Sequence, residues 1–164
     1  METKKPKLDI EKPVVAKAFD VLVIALFAAA LVYLLVQWNQ LPDRIPAHFG
    51  ANGEVDRYGS RIELLLLPVI GVVMWAGLWI MEKYPHTYNY LNLRADNVEI
   101  QYRYGVLFMN VIKNISTLLF IFLLWQSVDI AMARIESLNM PILITILALL
   151  FISMGVYIYK VLKL

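Results

Sequence analysis

The side chains with the clearest capacity for chemistry lie close together in one polar stretch that follows the first apolar run. His48, Asp56 and Ser60 share this stretch, so a hydrolase triad of base, acid and nucleophile is conceivable. The stretch has no Gly-x-Ser-x-Gly elbow and no evident oxyanion-stabilising device, which argues against catalysis. Two non-catalytic interpretations stay open. Either His48 and Asp56 pair to brace a hairpin while Arg44 or Arg57 balances the charge, or the stretch is a contact surface for a ligand or peptide.

The contact-surface interpretation rests on charged, polar and aromatic side chains that are predicted to face water. They are Asp43, Arg44, His48, Phe49, Asn52, Glu54, Asp56, Arg57, Tyr58 and Ser60. A metal site is not predicted, because the acidic residues among them lack the regular spacing of a calcium loop. The chain contains no cysteine, so disulfides, thiolate catalysis and cysteine-ligated zinc are excluded.

A second polar group lies inside an apolar run. Asn110, Lys113, Asn114 and Thr117 follow the i, i+3, i+4, i+7 spacing and therefore form one stripe along a helix. Starting the span after Lys113 would leave only residues 114–128, too few to cross a bilayer. Lys113 is thus predicted at membrane depth, where an ionisable group is a functional-site hypothesis.

Two arrangements of Lys113 are considered. We favour the one in which its side chain snorkels to the cytoplasmic interface while the asparagines bond neighbouring helices. In the other arrangement Lys113 pairs with Asp20 or Glu82, which lie near the cytoplasmic ends of the first two spans.

The elements that must position these groups are unusually apolar. Of the 164 residues, 60% are hydrophobic and 17% are charged, and the mean hydropathy is +0.65. A soluble domain is about half apolar and a quarter charged. Four runs approach the roughly 20 residues that a transmembrane helix needs, namely residues 18–38, 64–81, 106–128 and 141–159. We therefore predict an all-α integral membrane protein, a single domain over residues 1–164 with four transmembrane helices in a bundle.

Lysine and arginine are unevenly divided between the two sides of these spans. The side with both termini and the connection 82–105 holds Lys4, Lys5, Lys7, Lys12, Lys17, Lys83, Arg94, Arg103, Lys160 and Lys163. The other side holds Arg44, Arg57, Arg61 and Arg134. Because cytoplasmic segments carry the excess of positive charge, we predict cytoplasmic termini and an extracellular connection 39–63. The two histidines, His48 and His86, then lie on opposite sides and cannot share a metal ion.

The connections carry turn and capping signals. Asn52-Gly53 lies between two short strand-like segments, which predicts a small extracellular β-hairpin with a two-residue turn. Asp96 followed by Glu99 predicts a capping box that starts a helix before the third span. Pro141 fits the first turn of the fourth helix.

The polar stretch also resembles the signature of the N-terminal domain of the SdpI-type toxin-immunity membrane proteins of Gram-positive bacteria. The family pattern is L-P-x-x-I-P-x-H-F-x-x-x-G-x-x-D-x-x-G-S, and its fixed positions are present at Leu41, Pro42, Ile45, Pro46, His48, Phe49, Gly53, Asp56, Gly59 and Ser60. A weaker resemblance continues through Asn89, Tyr90, Asn97, Gln101 and Tyr102, so that it covers roughly residues 38–128. The resemblance implies a multi-pass protein of the cell membrane that protects its own cell against a secreted peptide toxin, with a possible signalling role.

The predicted function is accordingly immunity, or bacteriocin resistance, through an extracellular loop that binds an amphipathic peptide toxin or competes for its target. The expected partners are the lipid bilayer, the toxin or its target, a cytoplasmic regulator and, as an open alternative, a second copy of the chain. No cofactor is expected, and a formal charge of +2 is too small for nucleic-acid binding. Two alternatives are a membrane enzyme or small transporter using His48 and Asp56 or Lys113, and a structural subunit of a larger membrane complex.

Overall fold

The computed structural model of the protein describes residues 5–164, so Lys4, which contributes to the predicted charge bias, lies outside the described residues. The described chain forms four α-helices, which are α1 (Val14–Gln37), α2 (Leu66–Glu82), α3 (Val98–Ala131) and α4 (Met140–Leu162). Between α1 and α2 it forms two strands, β1 (Arg44–Phe49) and β2 (Val55–Ser60). Short 3-10 segments cover Trp38–Gln40, Arg61–Leu65 and Pro85–Thr87.

All four helices are long and apolar enough to cross a membrane, as the sequence predicts. With the 3-10 segments that extend two of them, they cover Val14–Gln40, Arg61–Glu82, Val98–Ala131 and Met140–Leu162. The third is the longest because the polar segment before its apolar run is helical as well. The remaining element is a small two-stranded sheet.

Helix α3 is the centre of the packing. Helices α1, α2 and α4 each pack mainly against α3 and much less against one another. The most apolar windows of α1, α2 and α4 are at most 17% buried within the chain, whereas that of α3 is 39% buried. Such exposure suits helices that face lipid, because hydrocarbon is as good a neighbour for leucine as another helix is.

The three connections between the helices and the two terminal segments define the two ends of the molecule. We call the end with residues 38–63 and 132–139 the hairpin end. The end with residues 5–13, residues 83–97 and the C-terminus is the tail end, where the Arg94 side chain donates to the backbone carbonyl of Leu164.

The strands form the predicted antiparallel hairpin, but its turn is longer than predicted. Gly50 N–H donates to the Glu54 carbonyl (2.9 Å), which closes a three-residue loop instead of the expected two-residue turn. Gly53 takes φ +82° at the end of this loop, the conformation in which a three-residue hairpin places its glycine. Its carbonyl accepts from Leu138 N–H (3.0 Å), so the loop is fixed to the connection between α3 and α4.

The hairpin is held on the bundle by apolar side chains at its base. Ile45 is 1% exposed and packs with Leu41 and Leu64 against α1 and α3 near the hairpin end. A two-stranded hairpin is marginally stable alone, so this contact with the helices is what orders it. The cluster consists of Ala30, Leu34, Leu41, Ile45, Leu64, Leu124 and Val128.

The helix starts agree only in part with the sequence. Pro141 lies in the first turn of α4, as predicted, after Asn139, whose side chain accepts from Ile142 N–H. The prediction of a capping box at Asp96 and Glu99 is wrong. Asn97 occupies the position before α3 and makes no side-chain cap to it.

The reason is that each residue of the expected box has another partner. Asp96 accepts from the Arg94 side chain (3.1 Å), and Glu99 accepts from Arg103 one turn further along α3 (3.4 Å). A capping box forms instead before α2, where Ser60 and Glu63 satisfy each other's backbone N–H groups around a 3-10 segment.

Three tyrosine rings fill the tail end of α3. Tyr90 stacks between Tyr88 and Tyr102, with ring centroids 5.8 Å and 5.2 Å away. The hydroxyl of Tyr90 donates to the Pro85 carbonyl (2.9 Å) and that of Tyr88 to the Met81 carbonyl (2.7 Å). Burial raises the pKa of both Tyr88 and Tyr90 above that of an ordinary tyrosine, so these hydroxyls stay protonated donors at neutral pH.

The closeness of this packing is testable at Gly105 of α3. A Cβ there would come within 2.9 Å of the Tyr90 hydroxyl oxygen and 3.1 Å of Tyr88. We expect Gly105→Ala to lower the free energy of unfolding by roughly 1–3 kcal/mol through overpacking. Gly77→Ala in α2 is the matched control, because no heavy atom of the described chain is within 4 Å of its added methyl. Thermal melting in detergent would measure both, and equal melting temperatures would contradict the packing of the tyrosines.

Candidate functional site

His48 and Asp56 form a close pair on the exposed face of the hairpin. Nδ1 of His48 lies 2.6 Å from Oδ1 of Asp56, and the two side chains are 65% and 50% exposed. The antiparallel register brings them together, because His48 pairs with Arg57, the residue next to Asp56. The contact between these two side chains that the bracing interpretation needs is therefore present, on a surface that water and solutes can reach.

Ser60 does not join this pair, so the hydrolase triad is not assembled. Ser60 lies opposite Arg44, whereas His48 lies opposite Arg57. The three residues from Arg57 to Ser60 correspond to about 10 Å of strand. The Ser60 hydroxyl instead accepts from the backbone N–H of Ile62 (3.4 Å) at the start of the following helix.

The charged residues around the pair contact one another locally. Arg57 donates to the Ala47 carbonyl (3.1 Å) and to Oε2 of Glu63 (3.0 Å). Asn52 donates to the Glu54 carboxylate across the loop (2.8 Å). These contacts fix the edge of the hairpin and leave its charges exposed to water.

The remaining predicted surface residues lie around the base and edge of the hairpin. Arg44 is exposed at the start of β1, Tyr58 is 54% exposed and Phe49 is half-buried. Asp43 is exposed beside Arg61, with 3.8 Å between carboxylate and guanidinium. Among residues 5–164, no three His, Asp or Glu side chains are grouped to hold a metal ion.

An apolar groove of about 500 Å³ lies beneath the hairpin. The strand β1 covers it on one side, and helices α2, α3 and α4 line the other. Its apolar lining includes Phe49, Leu67, Ile70, Leu119, Leu123 and Leu143, and the polar side chains of His48, Arg57 and Glu63 also line it. Hydrophobic and charged surfaces therefore meet at this end of the molecule.

The second predicted site, around Lys113, is near the tail end and is an ion-pair cluster. The Lys113 side chain is 0% exposed, and its Nζ lies 2.6 Å from Oε1 of Glu82 and 3.0 Å from Oδ1 of Asp20. The Lys113 ammonium group makes no hydrogen bond to either carboxylate, so these contacts are mainly Coulombic. The prediction that the Lys113 side chain snorkels to the interface is therefore wrong. The alternative, in which Lys113 pairs with Asp20 and Glu82, is present.

Lys12 completes the cluster, and sequence reasoning missed it. Its Nζ donates to Oδ2 of Asp20 (2.6 Å) and Oε2 of Glu82 (2.7 Å), the carboxylate oxygens that Lys113 leaves free. Burial disfavours the charged form of Lys12, but these two hydrogen bonds outweigh burial and raise the pKa of its ammonium group. The sequence could have indicated a second cation through the charge balance, because two carboxylates beside one lysine leave one negative charge unpaired.

The asparagines of the stripe bond neighbouring helices, as predicted. Asn110 and Asn114 each donate to Oδ1 of Asp20 (2.7 Å), which joins α3 to α1. Asn110 also lies within hydrogen-bonding distance of Glu82 on α2 (3.4 Å). Thr117 differs, since its hydroxyl donates to the Lys113 carbonyl of its own helix (2.8 Å).

The cluster is balanced in charge and shared by four segments. Two carboxylates, from α1 and α2, face two ammonium groups, from α3 and the N-terminal tail. The Trp75 ring adds a cation–π contact 4.8 Å from Nζ of Lys113. Because unpaired charges in a low-dielectric interior are costly, the cluster sets the relative positions of all four segments.

A third polar network, at the hairpin end, was also missed. The Tyr33 hydroxyl of α1 donates to the Asp129 carboxylate of α3. Arg134 donates to the Tyr33 hydroxyl oxygen (2.6 Å), to Asp129 (3.1 Å) and to Gln37 (3.0 Å). This network fixes α1, α3 and the connection to α4 at the end opposite the ion-pair cluster.

The pairing of Lys113 predicts a large effect of its removal. Lys113→Met leaves one ammonium group for two buried carboxylates, so we expect it to lower the stability in detergent by roughly 3–5 kcal/mol. Lys83→Met is the matched control. Lys83 is exposed, its ammonium group lies over the face of the Trp79 ring, and it is not a member of the ion-pair cluster. A melting temperature that rises in Lys113→Met would exclude the buried ion pairs.

Comparison with known proteins adds a partial match. Residues 25–72 match a family described as a domain of unknown function (DUF1648). This segment contains the second half of α1, the whole hairpin and the first part of α2. An uncharacterized protein of Archaeoglobus fulgidus is 48% identical over 60 residues, which are 35% of this chain and 33% of that protein. The chain thus spans about a third of the length of this curated relative.

No solved structure matches the chain. The family match covers the hairpin and the parts of the first two helices that flank it.

Proposed function

We propose that the protein is a multi-pass protein of the cell membrane that protects its own cell against a secreted amphipathic peptide toxin. The hairpin and the groove beneath it would bind the toxin or the toxin's target. The resemblance of residues 41–60 to SdpI-type immunity proteins supports this proposal. Because an archaeal protein also resembles part of the chain, we do not restrict the proposal to Gram-positive bacteria.

The observation that carries the proposal is the meeting of an apolar groove with exposed charges at the hairpin end. An amphipathic peptide has one apolar and one polar face. Its apolar face would fit the groove between β1 and helices α2–α4, and its polar face would meet His48, Arg57 and Glu63. The hairpin is fixed by its base, its loop and its local ion pairs, so little conformational entropy would be lost on binding.

The proposal requires the hairpin end to lie outside the cell. The excess of lysine and arginine is at the tail end, and such segments stay in the cytoplasm. The N-terminal tail, the connection between α2 and α3 and the C-terminus would then be cytoplasmic. A signalling role would be exerted through these segments on a cytoplasmic regulator.

This orientation can be tested with single cysteines, since the natural chain has none. Asn52→Cys in the hairpin loop should react with a membrane-impermeant maleimide on intact cells. Asn89→Cys in the connection between α2 and α3 should react only after the cells are opened. Both positions are exposed, so accessibility within the protein is matched. The reverse pattern of labelling would contradict the orientation and, with it, the toxin-facing role of the hairpin.

The role of the hairpin in protection can be tested at its exposed pair. His48→Ala/Asp56→Ala should abolish protection in a toxin challenge, because His48 lines the polar edge of the groove and Asp56 orients its ring. Its melting temperature in detergent should change little, since exposed ion pairs contribute up to about 1 kcal/mol. Asp43→Ala is the matched control, because Asp43 is also exposed on this connection but does not line the groove.

Three outcomes separate the interpretations. Loss of protection at an unchanged melting temperature supports the contact surface. Parallel loss of protection and stability indicates that the pair only braces the hairpin. Full protection by the double variant would contradict the proposed role of the hairpin.

A further inference from the structure

The ion-pair cluster at the tail end opens toward the N-terminal segment. Side-chain exposure rises from 0% for Lys113 and 3% for Glu82 to 12% for Asp20 and 19% for Lys12. Lys113 is therefore the innermost group of the cluster and Lys12 the outermost. The two carboxylates therefore lie between a buried lysine and a lysine that is partly exposed to solvent.

The two ammonium groups are attached to the protein in different ways. Lys113 belongs to the middle of α3 and cannot leave without unfolding that helix. Lys12 belongs to residues 5–13, which have no regular secondary structure. Besides Lys12, this segment is anchored by Lys5 to the Tyr88 carbonyl and by the Pro6 carbonyl, which accepts from the Tyr102 hydroxyl (3.1 Å). An exposed ion pair of Glu11 with Lys17 of α1 (2.9 Å) adds a third contact. A segment held by such contacts opens more readily than a packed helix.

A buried amide beside the two carboxylates offers a further acceptor. The Asn114 side chain is 0% exposed, and its Oδ1 has no hydrogen-bond partner within residues 5–164. The same amide donates through Nδ2 to Oδ1 of Asp20, so Asn114 is in direct contact with the cluster. Buried polar atoms are nearly always satisfied, so its Oδ1 is an acceptor that still lacks a donor.

We propose that Asp20, Glu82 and Asn114 form a binding site for a primary ammonium group, and that Lys12 is its displaceable internal ligand. A primary ammonium has three N–H donors, and Lys12 uses two of them toward Asp20 and Glu82. Without Lys12 the cluster keeps two carboxylates against the single positive charge of Lys113, which leaves one negative charge for an external cation. The external ligand is a primary amine, either a free small amine or the lysine side chain of another protein.

This inference does not depend on the proposed immunity function. It concerns the opposite end of the molecule and is independent of the orientation in the membrane. If it is correct, the N-terminal segment leaves its position when an external ammonium group takes the place of Lys12.

The first test is chemical rescue of the full chain in detergent. Lys12→Ala should lower the melting temperature by several degrees, whereas Lys7→Ala, at an exposed position of the same segment, should leave it unchanged. Methylammonium chloride should restore at least half of the loss in Lys12→Ala. Tetramethylammonium chloride at the same concentration should restore none, because it has no N–H group. Nα-acetyl-lysine amide tests a lysine side chain as the source, and rescue by methylammonium alone assigns the site to small amines.

A double variant distinguishes the site from a general effect of salt or amine. Lys12→Ala/Glu82→Gln has one carboxylate for Lys113, so methylammonium should not stabilise it. Rescue of the double variant, equal rescue by tetramethylammonium or an unchanged melting temperature of Lys12→Ala would each overturn the proposal.

The second test follows the segment itself and uses the natural Lys12. A spin label at Asp9→Cys, in a chain otherwise free of cysteine, should be immobilised in the parent protein. Rising methylammonium should increase the mobile fraction of its spectrum, while tetramethylammonium should not. A spectrum that does not respond to methylammonium would show that Lys12 is a fixed structural partner and would overturn the displacement.

Discussion

The shared ion-pair cluster of Asp20, Glu82, Lys113 and Lys12 is the interaction on which the arrangement of the helices depends. Apolar packing alone discriminates weakly between helix orientations in a membrane, because lipid chains replace apolar side chains at little cost. Charges inside the bilayer have no such substitute. Each carboxylate contacts both ammonium groups. Rotation of α1, α2 or α3 would therefore separate a charge from its partners.

Helix α3 carries the polar side chains for both ends of the molecule. Lys113 and Asn114 serve the cluster at the tail end, and Asp129 serves the network with Tyr33 and Arg134 at the hairpin end. This explains why α1 and α2 pack against α3 and less against each other. The hairpin in turn rests on α1 and α3, so the proposed contact surface depends on helices that the buried charges position.

The sequence predicts the parts of this structure that depend on local pattern. Apolar runs reveal the four helices, and the signal at Asn52-Gly53 reveals the hairpin. The loop length was wrong because the closing bond from Gly50 to Glu54 depends on strand register, which two turn residues do not fix. Lys113 was predicted to snorkel because the sequence of one helix does not show which charged residues of other helices lie beside it.

The remaining contacts depend on segments that are distant in the chain. Lys12 was not predicted as a site residue, since a segment without periodicity gives no indication of where it packs. Asp96 was misassigned as a cap because Arg94 competes for its carboxylate. Along α3, sixteen residues separate Lys113 from Asp129, or about 24 Å at the rise of an α-helix. An average hydrocarbon core is about 30 Å thick, so in a bilayer of that thickness at least one of the two polar networks would lie within the hydrocarbon, where only protein groups can compensate its charges.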